Sequence, residues 1–153
     1  MKTLGAASSP YLQHPNTLMD DIPSIISHVS LGTNQFERAV AFYDQVMPTL
    51  GCHKIDEFPG AVAYGRQFPE FWVQTPFDDQ PAAVGNGTHV ALIAASKEAV
   101  HAFYTAAIAA GGTGDGEPGP RPHYSEAYYA CYVRDPDGHK IEATFWDDGL
   151  AQA

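Results

Sequence analysis

Two histidines, His28 and His89, stand in matching surroundings 61 residues apart, and one glutamate, Glu142, sits among apolar residues near the C-terminus. Each histidine opens a short run, His28-Val29-Ser30-Leu31 and His89-Val90-Ala91-Leu92, while Glu142 interrupts Ile141-Glu142-Ala143-Thr144-Phe145. Side chains alternate across a strand. If Val29 and Leu31, Val90 and Leu92, and Ile141, Ala143 and Phe145 face a core, then His28, His89 and Glu142 face the other way on three strands. Two imidazoles and a carboxylate are a donor set for a divalent ion with open positions, whether Fe, Zn, Mn or Ni. Spacing alone does not bring three such distant residues together, and a strand histidine serves as readily in a hydrogen bond.

The elements that must position these residues are legible as a repeat. Shifting the chain by 61 residues places His28-Val29 on His89-Val90, Leu31 on Leu92, Glu37 on Glu98, Ala41-Phe42-Tyr43 on Ala102-Phe103-Tyr104 and Gly51 on Gly112. Eight identities over the 24 columns from 28 to 51 point to a duplicated unit. Each copy reads as a strand (Ile25 to Leu31; His89 to Ala94) followed by a helix. Asn34 with Glu37 resembles a capping box, and Ser96 is the corresponding cap. Phe36, Val40, Tyr43, Met47 and Leu50, and then Val100, Phe103 and Ala107, form one-sided helical stripes. Pro48 distorts or ends the first helix, and Gly51 and Gly111-Gly112 close the two.

Three strands are expected after the first helix, over Cys52 to Phe58, Ala61 to Arg66 and Phe71 to Thr75. A polar linker, Pro76 to Asn86, follows. After the second helix, Gly111 to Pro122 holds at best one irregular edge strand, and Tyr128 to Arg134 pairs with His139 to Trp146 across the turn Asp135-Pro136-Asp137-Gly138. The expected organisation is an extension over 1–22 and one α+β domain over 23–148, with module one at 23–77 and module two at 87–148. Neither module has enough helix to cover both faces of a sheet.

Composition bounds the function. A chain of 153 residues can bury a core as one domain. Its net charge of -10 repels phosphate backbones and anionic lipid, which argues against nucleic-acid and membrane partners. The first 21 residues resemble neither a secretory signal nor a transit peptide, and His14 there is read as a solvated residue. Two cysteines without a CxxC spacing, Cys52 and Cys131, suit small buried hydrophobes in a reducing, cytoplasmic setting.

Three stretches, ISHVSLGTNQFERAVAFYDQVMPTLG, GTHVALIAASKEAVHAFYTAAIAAGG and YYACYVRDPDGHKIEATF, carry a resemblance to the vicinal oxygen chelate superfamily, with DPDGHKIE its most specific part. The superfamily includes glyoxalase I, extradiol dioxygenases, thiol transferases and bleomycin-binding proteins. The likeness spans roughly Pro23 to Trp146. It implies paired βαβββ modules whose eight strands form an open, barrel-like sheet around a cavity, a divalent metal there, and a homodimer. The family's ligand positions fall on His28, His89 and Glu142, with a fourth near Gln74, where Trp72 shares the same side. An amide at Gln74 departs from the glyoxalase I pattern, and the remaining set looks closer to the dioxygenase and thiol-transferase branches.

The implied function is a metal-dependent, glyoxalase-like lyase or isomerase acting on a small oxygenated substrate, with Glu142 moving a proton. The rivals are an Fe(II) extradiol-type dioxygenase and a metal-free small-molecule-binding protein. Arg121 in the loop GEPGPRPHYSEAYY is suited to a substrate carboxylate or phosphate, and His123 and Tyr124 to proton transfer or hydrogen bonding. An ion pair with an acidic neighbour is the plainer role for Arg121. Trp72, Tyr64 and Tyr128 read as core or cavity wall, with Trp72 also a candidate for stacking on substrate.

Overall fold

A computed structural model describes residues 25–147 and Gly149; the extension over 1–22, with His14, lies outside the described residues. Module one runs β1 (Val29–Gly32), α1 (Phe36–Val46), a 3-10 turn (Met47–Leu50), β2 (His53–Phe58), β3 (Ala61–Gly65) and β4 (Phe71–Gln74). Module two runs β5 (His89–Ile93), α2 (Lys97–Ala109), β6 (Thr113–Pro120), β7 (Tyr128–Arg134) and β8 (Lys140–Trp146). The strand orders are β1-β4-β3-β2 and β5-β8-β7-β6, each with one parallel pair and two antiparallel pairs. The duplicated βαβββ plan is therefore present, as two open four-stranded sheets rather than one continuous sheet of eight.

Local chemistry explains most boundaries. β1 starts at Val29, later than expected, because its partner β4 begins only at Phe71, after Pro69. The 3-10 turn begins where Pro48 interrupts the helical pattern, and Gly51 closes it at φ 72°. Ser96 caps α2, its hydroxyl accepting from the Ala99 amide at 3.2 Å. The capping box expected at Asn34 is not formed. The residue preceding α1 is Gln35, and the Asn34 side chain instead holds the linker, donating to Ala82 O at 2.9 Å and accepting from its amide at 2.8 Å. Gly112 matches Gly51 in the repeat for a different reason. A Cβ there would lie 2.9 Å from the Phe42 ring and 2.8 Å from Arg134 O, so only glycine lets the modules approach.

The helix-bearing sides of both sheets merge in one core. Phe42, Tyr43, Val46 and Leu50 of module one belong to the same buried cluster as Val100, Phe103, Val133 and Ile141 of module two. Cys131 is buried here, with its thiol pushed up to about 11 by burial, while Cys52 is half-buried just before β2; both are free thiols. Because the helix sides meet, the other face of each sheet is turned outward.

The modules are also joined by a polar lock. Asp135, 5% exposed, accepts from the Tyr43 hydroxyl at 2.7 Å, from the His139 amide at 2.8 Å and from the Asp137 amide at 3.0 Å. Around it the Thr33 hydroxyl donates to Asp137 at 2.6 Å, and His139 Nε2 lies 2.8 Å from Gly32 O. Removing a buried acceptor leaves its donors unmet. Asp135→Ala is expected to cost on the order of 3 kcal/mol or more, and Tyr43→Phe about 1–2 kcal/mol. Urea denaturation of the two variants checks both values and their order.

Candidate functional site

Module two's outward face carries two of the three singled-out strand residues, His89 and Glu142. In the β5–β8 pair, Val90, Leu92, Ile141 and Ala143 turn to the core, which leaves His89, Ala91, Lys140 and Glu142 on the opposite side, as alternation predicts. Ala91 pairs with Glu142, and Glu142 pairs with Tyr132 of β7. The Glu142 side chain is nonetheless buried, the residue being only 2% exposed, because neighbouring side chains close over it. The Tyr128 hydroxyl donates to its Oε1 at 2.6 Å, and His89 Nε2 lies 3.3 Å from Oε2. The His89 ring remains about half exposed. Burial first, and then the hydrogen bond to Glu142, raises the Tyr128 phenol above its ordinary range; burial and the Glu142 charge raise Tyr132 likewise.

The loop residues singled out in the sequence converge on this face. His89, Arg121, His123 and Tyr124 line one open cleft of about 750 Å³, together with Tyr132, Arg134 and Lys140. The His123 and Tyr124 rings are 4.2 Å apart, and Tyr124 meets Tyr128 edge-on at 5.5 Å. The Arg121 guanidinium donates to Glu117 O at 2.6 Å and Pro120 O at 3.1 Å and lies 5.4 Å from the Tyr132 ring centre, with no carboxylate partner among the described residues. Sequence reading missed Tyr132, Arg134 and Lys140. Strand parity carried the signal, since Tyr128, Tyr132 and Arg134 alternate on β7 and Lys140 lies two residues before Glu142.

Other candidates lie elsewhere. His28 is exposed ahead of β1, with Ser27 Oγ 3.2 Å from its Nδ1. Among the described residues no three His, Cys, Asp or Glu side chains converge to hold a metal, so one chain does not bring His28 to His89 and Glu142. Register also revises the fourth position. Ser30 pairs with Trp72 as Ala91 pairs with Glu142, so Trp72, and not Gln74, is the counterpart of Glu142. Gln74 pairs with Gly32 and Ala61 one row further on. Trp72 stacks on Phe58, with rings 6.3 Å apart and 13° from parallel, so module one's outward face is aromatic where module two's is polar. Tyr64 is core, its hydroxyl donating to Asp44 at 2.7 Å.

The pair that one chain does assemble fits part of a metal site. Two donors each about 2.1 Å from one ion stand roughly 3.0–3.4 Å apart at ordinary angles. The 3.3 Å between His89 Nε2 and Glu142 Oε2 falls in that interval. An indole at Trp72 has no lone pair to offer in the fourth position.

Comparison with known proteins agrees with this architecture. The Glyoxalase/Bleomycin resistance protein/Dioxygenase superfamily model matches residues 25–143. A glyoxalase/bleomycin resistance protein from Albidiferax ferrireducens T118 is 39% identical, with a TM-score of 0.73 over 79% of this chain and 98% of that one. A lactoylglutathione lyase from Agrobacterium tumefaciens is 23% identical, with a TM-score of 0.56 over 80% of this chain and 93% of that one, a likeness of fold alone. Among functionally curated proteins, none matches by sequence. Among the described residues, no helix is long and apolar enough to cross a membrane.

Tyr43, Tyr64, Tyr128 and Tyr132 all have phenols raised above 10.0, chiefly by burial. A raised folded-state value leaves stability intact below pH 10 and removes it as pH climbs towards the folded-state values. Ultraviolet titration is expected to show late-ionising tyrosines, with stability falling above pH 10. In Tyr128→Phe the late-ionising fraction should shrink by one phenol.

Proposed function

Because the chain belongs to the glyoxalase/bleomycin resistance protein/dioxygenase superfamily, we propose that it is a metal-dependent, glyoxalase-like enzyme acting on a small oxygenated substrate. The observation that carries this reading is the 3.3 Å approach of His89 to the buried carboxylate of Glu142 at one side of an open cleft. His89 and Glu142 would be two ligands, and His28 of a second copy the third. The crossed arrangement is supported by the outward placement of both sheet faces and by the exposed apolar side chains Phe58, Ile93 and Trp146, which a partner would cover.

A bound divalent ion would supply Lewis-acid stabilisation of oxyanion charge. The chain's own residues do the remaining work. Tyr128 holds Glu142 Oε1 and so fixes the carboxylate, whose Oε2, on the His89 side, would serve as a ligand and, when released from that role, would accept a substrate proton. His123 and Tyr124 stand at the cleft wall as hydrogen-bonding partners for the substrate.

One observation favours a second reading, a metal-free binding protein: both Glu142 oxygens already have partners within the chain. Ligand-dependent thermal stabilisation that is unchanged by EDTA and His89→Ala, in a wild-type chain that purifies without metal, would support it. If the bound ion is Fe(II), oxygen uptake with catechols separates a dioxygenase from a lyase.

Metal analysis of protein purified without a histidine tag tests the leading reading. One Fe, Ni, Zn or Mn per chain is expected, lost in His89→Ala and Glu142→Gln. Mixed and refolded His28→Ala and Glu142→Ala chains should recover metal in about a quarter of sites, since half the dimers would be mixed and each would hold one intact site. No metal in the wild type would overturn the metal reading. Metal in the wild type without recovery in the mixture would overturn the crossed site.

A further inference from the structure

The cleft beside His89 concentrates positive charge in a chain of the opposite sign. Only 8 residues of the whole sequence are Lys or Arg, against 18 acidic ones. Three of the eight, Arg121, Arg134 and Lys140, line this one cleft, and among the described residues Asp115 is the one carboxylate lining it. Asp115 is shared, 3.0 Å from Arg134 Nε and 3.2 Å from Lys140 Nζ; loss of solvent pushes its carboxyl up, but the two cations together outweigh that and hold it below the usual range. The lining therefore keeps an excess of positive charge even after that pairing. Glu142 does not line it; its carboxylate is buried, with the Tyr128 hydroxyl on one oxygen and the cleft residue His89 3.3 Å from the other.

The cations are also held in place. Arg121 and Lys140 both stand over the Tyr132 ring, at 5.4 and 4.8 Å from its centre. Arg121 commits two of its five N–H groups to backbone carbonyls, and the other three have no partner among the described residues. Lys140 is the strand partner of His89 and precedes Glu142 by two residues on the same face. A negative protein that gathers fixed cations at a cleft focuses field there and draws small anions to it.

We infer that the substrate carries an oxyanion group, phosphoryl, phosphonyl or carboxylate, which Arg121 and Lys140 hold beside His89. This rests on the reading of the cleft as a substrate site, but not on the presence of a metal. Arg121 supplies the planar N–H fork that oxyanions match, and Lys140 a point charge.

The test uses the full chain stripped of metal with EDTA, titrated with inorganic phosphate or acetate at constant ionic strength set with chloride, and followed by thermal shift and calorimetry. Saturable binding of at least one anion is expected, and which binds tighter distinguishes a phosphoryl-type group from a carboxylate. Arg121→Gln and Lys140→Gln should each weaken it about tenfold or more, Arg121→Lys less than Arg121→Gln, and Lys54→Gln, outside the cleft, not at all. The melting temperature of each variant without anion shows whether it is folded. Binding of neither anion by the wild type, or undiminished binding by the folded Arg121 and Lys140 variants, would overturn the inference. His89→Ala separates the two readings, since it should lose metal and keep the anion.

Discussion

The buried carboxylate of Asp135 is the contact on which the placement of everything else depends. It gathers two amides of its own turn and the hydroxyl of Tyr43 from the other module, so one side chain shapes the β7–β8 hairpin and docks it on α1. With Thr33 and His139 completing the junction, the helix sides of both sheets are held together in one apolar core. Each sheet must then present its other face outward. His89, Glu142 and the cationic cleft lie on an outer surface for this reason, and His28 stays apart from them within a chain.

That outer surface balances two demands that ordinarily conflict. A carboxylate buried on a sheet must have partners, because an unpaired buried charge is costly. Glu142 meets this with a phenol donating to one oxygen, and the His89 ring stands 3.3 Å from the other. Arg121, Arg134 and Lys140 line the adjacent cleft, and Tyr132, the strand partner of Glu142, carries two of them, Arg121 and Lys140, over its ring.

The two modules share a plan and have diverged in what they display. The same strand order and the same parallel pair recur in both. Yet the position held by Glu142 in module two belongs to Trp72 in module one, where an indole stacked on Phe58 replaces a hydrogen-bonded acid. Backbone pairing tolerates this exchange because the side chains concerned point away from the common core, where packing imposes no shared shape.

By itself the sequence determined what local periodicity can encode. The duplication, both helices, the hairpin at Asp135 to Gly138 and the shared facing of His89 and Glu142 follow from spacings of two and of three to four residues. DPDGHKIE was legible as a turn and a strand. That its first aspartate would be buried against Tyr43 was not, because the partner lies 92 residues away. Register was beyond reach for the same reason: Trp72 and Gln74 share a face, and only pairing with Ser30 decides which of them matches Glu142. The start of β1 and the linker-holding role of Asn34 depend on β4 and Ala82, neither of them a near neighbour in the chain. Tertiary structure alone decided which sheet faces meet, since an apolar stripe specifies that a side be buried and leaves open what buries it.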